Sequence, residues 1–284
     1  LTSDISSTAR WVGKSETTTA SGALMVPTGT DVRCTGPRPI VMYAHGTNVA
    51  KRFNMADFED TTNPAYGEAL LIAALYAAQG YIVVAPNYAG YDSSTLTYHP
   101  YLNAAQQSKE MIDILAAARS ALSTISSPTT ASSQQFITGY TEGGHVAMAT
   151  HRAMQAAGIP VTASGPMSGP YAFLAQADAT FFGNVNAGST VFLPLTLTSF
   201  QKAYGNLYAS VGDVYESAFA TGIETLLPGP CDSPTLLFSG GKLPQTTLFS
   251  SMPPAPAFAA DTPPQGPEPP TPCSRLGSAP TIPA

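Results

Sequence analysis

The stretch Ile137–Ala149, ITGYTEGGHVAMA, places a hydroxyl residue, Thr141, between two glycines, Gly139 two residues before it and Gly143 two residues after. A hydroxyl on a sharp strand-to-helix turn is held at strained backbone angles with its oxygen exposed. Close neighbours must be small for such a turn to close, which accounts for both glycines. The chemistry this arrangement serves is acyl transfer. The hydroxyl attacks a carbonyl, and the free N–H groups at the start of the helix hold the developing oxyanion. The usual donor is the residue after the nucleophile, here Glu142. The pattern normally centres on serine. A threonine methyl restricts χ1 and stands where the acyl group must approach, so Thr141 is expected to act more slowly than serine.

A second stretch, YAHGTNV, ends an apolar run roughly 95 residues before Thr141. In a sheet of buried parallel strands this strand end lies beside the turn. The loop after His45 and Gly46 can then supply a second N–H, that of Thr47. His45 reads as a structural residue that holds the loop.

A hydroxyl nucleophile needs a base, and the chain has four histidines: His45, His99, His145 and His151. His145 is one helical turn beyond Thr141, facing along or away from the hydroxyl, and His151 lies further along the same helix. His99, in TYHPY, lies in a loop at the sheet's active edge. It is the candidate base, with ordering of the loop beside Pro100 as its plainer role. The acids after the turn (Asp178, Asp213, Glu216, Glu224, Asp232, Asp261 and Glu268) do not stand at the ends of clear buried strands. No catalytic acid is assigned. Glu142 itself is expected to be solvated or to line the pocket.

The elements that must position these residues follow from periodicity. Ser21–Gly29 reads as a short strand, and Arg38–Gly46 and Tyr81–Tyr88 as strands buried on both faces. Tyr66–Gly80, Leu102–Ile125 and Glu142–Gly158 read as helices, the last with Val146, Ala149, Ala153 and Ala157 on one side. Strands near Gln135–Tyr140 and Pro160–Gly169 complete an alternation that predicts an α/β fold, a mostly parallel sheet with flanking helices. After Pro170 the alternation stops and the sequence becomes helical and aromatic. The expected organisation is a core over 1–170, a helical cap or lid over 171–252, and a proline-rich tail over 253–284. The tail holds eleven of the 26 prolines and reads as extended or disordered. Cap aromatics such as Phe173, Phe192 and Phe200 are candidates for pocket walls, although such stripes more often form core.

Composition narrows the function classes. Hydrophobic residues make up 44% and charged residues 11%, too apolar for a disordered chain. Twelve Lys+Arg, no basic cluster and a net charge of −6 exclude nucleic-acid binding by charge. No apolar run reaches the length of a membrane span. A chain beginning at Leu1, with little lysine and much Ser, Thr and Gly, fits a secreted or periplasmic protein. Its three cysteines, Cys34, Cys231 and Cys273, allow at most one intrachain disulfide and match no metal-site spacing.

On the pair YAHGT and GYTEGGHVAMA, with the strand–helix order between them, the chain resembles the α/β-hydrolase family over Ser21–Pro256. Within it the likeness is to secreted lipases and esterases with a helical cap after the sixth strand, whose turn usually reads G-Y-S-x-G-G. The resemblance implies hydrolysis of carboxylic esters, small, lipid or polyester, through an acyl-enzyme, with no metal and no organic cofactor. That family orders its residues nucleophile, acid, histidine. This chain departs from it at Thr141 and in having no histidine after His151. A non-catalytic fold that binds apolar ligands is therefore the alternative. The abrupt change to a proline-rich tail is also what a truncated or frame-shifted chain would show. A sheet lacking its last strands is expected to expose an edge and apolar surface, and so to form homodimers or dissolve poorly.

Overall fold

The computed structural model describes residues 2–10 and 16–249. The expected tail, Trp11 and Cys273 lie outside the described residues. Six strands form one sheet in the order β1-β2-β4-β3-β5-β6. They are β1 (Thr2–Arg10), β2 (Thr17–Met25), β3 (Gly36–Ala44), β4 (Ile82–Pro86), β5 (Thr129–Tyr140) and β6 (Ala163–Met167). β3 pairs in parallel with both β4 and β5, and β5 in parallel with β6. β1 and β2 pair antiparallel to each other, and β2 antiparallel to β4.

The buried runs are the central strands, as continuous apolar sequence requires. Every residue of β4 is buried, and so is Ile40–Ala44 of β3. Helices α1 (Tyr66–Leu75), α2 (Ala104–Leu122) and α3 (Glu142–Ala156) are the crossovers. The register of β3 on β5 pairs Ala44 with Gly139. This sets the end of β3 beside the start of the turn at Thr141, the juxtaposition that a His-Gly strand end was expected to provide.

The expected face of α3 needs one correction. Its buried residues include Val146, Ala147, Thr150 and Met154. Ala149 and Ala153 instead border a cavity between α3, α2 and the later helices. Alanines satisfy a core stripe and a cavity wall equally well, so the spacing could not separate the two.

After β6 the described residues contain helices and no further strand of the sheet. The main ones are α4 (Phe173–Phe181), α5 (Ser189–Tyr204), α6 (Ser217–Ala220) and α7 (Pro234–Ser239). The apolar side chains of this region, including Leu195, Leu197 and Leu237 on the helices and Tyr215 before α6, form a second cluster, separate from the core around the sheet. Val49, Tyr101 and Leu102, from loops at the C-terminal ends of β3 and β4, belong to that second cluster. The helical region is thus anchored on the loops that surround Thr141.

One face of the β5–β6 edge is open. The register pairs Phe136 with Ala163, Thr138 with Gly165 and Tyr140 with Met167. Tyr140 and Met167 are exposed, as are Leu71 and Leu75 of α1. Phe136, Thr138 and Leu75 line a groove of about 570 Å³ there.

Candidate active site

Thr141 stands between β5 and α3 with φ 55° and ψ −119°. A β-branched residue adopts positive φ only when its surroundings enforce it. The enforcement is visible on both sides. A Cβ on Gly143 would collide with the carbonyls of Ala44 and His45, and one on Gly139 with the carbonyls of Gly143 and Ala44. β3 and the first turn of α3 are therefore in backbone contact, and Thr141 must occupy the bend between them. The Thr141 N–H donates to the Met167 carbonyl (3.0 Å), which ties the bend to β6 as well. A Cβ on Gly46 would meet Thr141 Cγ2 at 2.6 Å, so the methyl of Thr141 is directed at the loop after β3.

The N–H groups of Thr47 and Glu142 make no hydrogen bond within the described residues. The Thr47 hydroxyl is hydrogen-bonded to the Tyr101 hydroxyl (3.0 Å). Tyr101 is buried, which pushes its phenol pKa up and keeps it protonated. His45 is fully buried. Its Nδ1 lies 2.7 Å from the Gly46 carbonyl and its Nε2 3.2 Å from that of Asn87. Burial lowers its pKa, and a neutral ring donates to only one of these, the nearer Gly46. Tyr88 stacks on the ring at 4.1 Å. His45 thus fixes the path of the loop through Gly46.

Glu142 and His99 depart from expectation. Neither side chain reaches solvent, and Glu142 Oε1 lies 2.6 Å from His99 Nε2. His99 Nδ1 lies 2.7 Å from the Ala89 carbonyl. Both nitrogens face acceptors, as in His45, but here one acceptor is a carboxylate that raises the His99 pKa while its own is lowered, and the pair is an imidazolium and a carboxylate. Burial alone would lower the His99 pKa, but the adjacent Glu142 charge outweighs it and raises the pKa. Burial would raise that of Glu142, but His99 and the Gln107 amide (2.6 Å) hold it below the usual range. The expectation of a solvated or pocket-lining Glu142 is corrected. So is that of His99 as a base at the pocket, because both its nitrogens are committed beneath the turn.

The network reaches further into α2. Glu110, also buried, accepts from the Ala89 N–H (3.0 Å) and the Gln106 amide (2.8 Å). Sequence reasoning missed Gln106, Gln107 and Glu110. Their signal was a cluster of polar residues on a helix face that continues as Met111 and Ile114, both buried. His145 has no hydrogen-bond partner for its Nδ1, and burial lowers its pKa to about 4. His151 Nδ1 lies 2.8 Å from the Ser164 hydroxyl. None of the four imidazoles is hydrogen-bonded to the Thr141 hydroxyl among the described residues; His145 meets Thr141 only through its backbone N–H, which donates to the Thr141 carbonyl (3.3 Å).

Thr141 opens on a cavity of about 500 Å³ between the loops and the helical region. Its walls include Tyr101, Leu102, Ser168, Phe173, Phe192 and Leu193. Of the aromatic candidates, Phe173 and Phe192 line this cavity, whereas Phe200 and Tyr204 line a neighbouring one. Leu102 (φ 56°) and Ser168 (φ 50°) share positive φ with Thr141. Three of the five non-glycine residues with positive φ thus stand on one cavity, where strain supports shape rather than packing. Among the described residues, no group of three or more His, Cys, Asp and Glu could hold a metal ion. Cys34 and Cys231 are free thiols. No described helix is long and apolar enough to cross a membrane.

No family model and no curated protein matches the chain. Solved structures do. The rice cell wall degrading esterase LipA from Xanthomonas oryzae is 32% identical, with a TM-score of 0.76 over 92% of this chain. A ligand-bound form of LipA matches at 32% identity and a TM-score of 0.75, with the same coverage of this chain. This chain spans 66% of the length of LipA. A candidate hydrolase from Legionella pneumophila, 22% identical, has a TM-score of 0.72 over 91% of this chain and 65% of its own, a likeness of fold.

Proposed function

This chain belongs to the α/β-hydrolase superfamily, and on that premise we propose that it is a slow carboxylic ester hydrolase whose nucleophile is Thr141. The observation that carries this reading is the strained backbone of Thr141 between β5 and α3, beside two N–H groups without partners among the described residues. The likeness to an esterase supports the substrate class.

In the proposed reaction Thr141 Oγ1 attacks the ester carbonyl and its proton passes to solvent. The N–H groups of Thr47 and Glu142 stabilise the oxyanion, and Tyr101 orients Thr47 through its hydroxyl. Collapse expels the alcohol, which takes up a proton, and leaves an acyl-threonine. Water then attacks the acyl carbon and releases the acid. His99 and Glu142 are positioning residues: their ion pair holds the first residue of α3 and hence its N–H. His45, Gly46, Gly139 and Gly143 shape the turn and its loop. Residues 171–252 serve as the cap over the acyl-binding cavity, with residues 1–170 as the hydrolase core. Secretion or a periplasmic location is part of the same reading, supported by the composition.

A second reading is binding of apolar ligands without turnover. It is favoured by the Thr141 methyl, which faces the loop that would receive the oxyanion, and by the lack of any described residue hydrogen-bonded to Thr141 Oγ1.

Hydrolysis of short and long p-nitrophenyl esters by the parent, Thr141→Ser and Thr141→Ala separates the two. The nucleophile reading expects Thr141→Ser to be faster than the parent, Thr141→Ala to be inactive, and a fluorophosphonate to label residue 141 in the parent and the serine variant. Three equally inactive proteins would overturn the nucleophile reading.

A further inference from the structure

The stretch after β3, His45 to Asn48, carries one of the two N–H groups assigned to the oxyanion, that of Thr47. A trans peptide is planar, so this N–H points away from the Gly46 carbonyl that shares its plane. The Gly46 carbonyl lies 2.7 Å from His45 Nδ1, and that bond sets the direction of the Thr47 N–H. Such a peptide unit can still turn about its flanking bonds, most easily beside a glycine. Gly46 cannot be replaced by a stiffer residue, because a Cβ there would meet Thr141 Cγ2 at 2.6 Å. The unit stays fixed only if the residues on either side of it are held.

Both sides are held, and by one neighbour, the loop after β4. The Tyr88 hydroxyl donates to the His45 carbonyl (3.2 Å), and the Tyr91 hydroxyl to the Asn48 carbonyl (2.6 Å). These two carbonyls bracket the Gly46–Thr47 peptide. Both tyrosines are fully buried, which pushes their phenol pKa values up and keeps them donors. Tyr88 has φ 63°, a backbone that a bulky residue adopts only under constraint. The constraint is at Ala89, next in the chain. Its N–H donates to Glu110 (3.0 Å), and its carbonyl accepts from His99 Nδ1 (2.7 Å). His99 in turn pairs at 2.6 Å with Glu142, the residue that bears the second N–H. The same loop therefore grips both donors, Thr47 through two tyrosine hydroxyls and Glu142 through Ala89 and His99.

We propose, on the reading of Thr141 as the nucleophile, that Tyr88 and Tyr91 are positioning residues that fix the Thr47 N–H relative to that of Glu142. The oxyanion site is then in place before an ester arrives. Neither tyrosine lines the cavity at Thr141, so both act through the backbone of residues 45–48 and not on the substrate. Loss of either hydroxyl frees one side of the Gly46–Thr47 peptide and lets it turn. The oxyanion exists in the transition state and not in the bound ester, so the loss falls on kcat and spares KM.

Hydrolysis of p-nitrophenyl butyrate by the full chain tests this, with Thr141→Ser as the background and each protein assayed below its melting temperature. Tyr91→Phe and Tyr88→Phe, which keep the rings, should each lower kcat by at least about tenfold and leave KM within about twofold. Tyr43→Phe is the control. Tyr43, also buried, loses a hydroxyl bond of 2.6 Å to Glu68, equal in length to that of Tyr91 but away from the loop. It should melt earlier and keep its kcat. Labelling by a fluorophosphonate should slow in the Tyr91 and Tyr88 variants and not in the control. An unchanged kcat in both Tyr91→Phe and Tyr88→Phe, or an equal fall in Tyr43→Phe, would overturn the proposal while the nucleophile reading stands. A Thr141→Ser protein that cleaves no ester would overturn both.

Discussion

Replacing His99 by leucine removes the cation from beneath the turn and leaves the Glu142 carboxylate in a site without solvent. The parent's stability depends on pH through both groups. The Glu142 pKa is depressed in the folded state, so its contribution is present above the unfolded value and lost as pH falls through the folded one. The His99 pKa is raised, so its contribution is complete below the unfolded value of about 6.5 and lost as pH rises through the folded one. In His99→Leu the only strong donor left to Glu142 is Gln107, and the buried carboxyl folds protonated. At this site the variant then loses about 1.4 kcal/mol of stability per pH unit from roughly pH 4.3 upward, while the contribution of the parent's pair stays level to about pH 6.5; the buried Glu110 titrates alike in both and cancels in the difference. The destabilisation should therefore grow by about 1 kcal/mol between pH 4.3 and 5 and by about 3 kcal/mol by pH 6.5, then stay constant while both proteins lose stability together. Urea midpoints followed by far-ultraviolet circular dichroism across this range measure it directly. A loss of the same size near pH 5 and near pH 6.5 would mean that the folded parent does not hold an ion pair here. The double variant with Glu142→Leu should abolish the pH-dependent part, since the carboxyl left without its cation is gone and Glu110 is common to all the proteins compared.

Three further outcomes follow from the geometry. Gly143→Ala drives a methyl into the Ala44 carbonyl and should lower stability by about 2 kcal/mol or more, read as a fall in melting temperature. The Lys51 ammonium donates to the carbonyls of Gly90 (2.7 Å), Ser94 (2.8 Å) and Leu96 (3.1 Å). Lys51→Met should cost about 1–3 kcal/mol and make the loop between β4 and α2 the first site of limited proteolysis. If the open β5–β6 face mediates homodimer formation, Met167→Lys should shift sedimentation towards monomer without changing the circular dichroism spectrum.

The parts of the fold legible in the sequence are those whose burial is two-sided or periodic. β3, β4, α2 and α3 fall on their expected segments because continuous apolar runs and helical spacing leave few alternatives. β1 carries no such mark. TSDISSTAR is polar, and it is a strand because it pairs along its length with β2 at the sheet edge. β5 begins six residues before the expected start at Gln135, at Thr129, because Thr129–Ala131 pairs with Gly36–Arg38. At the site, the glycines and the position of Thr141 could be read from local spacing, since the turn's constraints are local. The Glu142–His99 pair could not. Its members lie 43 residues apart on a loop and a helix start, and neither residue type reports burial on its own. A glutamate beside a nucleophile looks exposed until the chain around it is seen to close.

The three positive-φ residues around the Thr141 cavity have a consequence for the molecule's stability. Each such residue costs about 1–3 kcal/mol, so together they amount to a sizeable share of the 5–15 kcal/mol by which a domain is typically stable. Glycine at Leu102 or Ser168 would relieve backbone strain at once, though it would also remove a wall. The cavity is thus an elastically loaded shape. It is held open by the tightness of its frame, and substitutions that relax its rim should yield a sturdier protein with a poorer pocket.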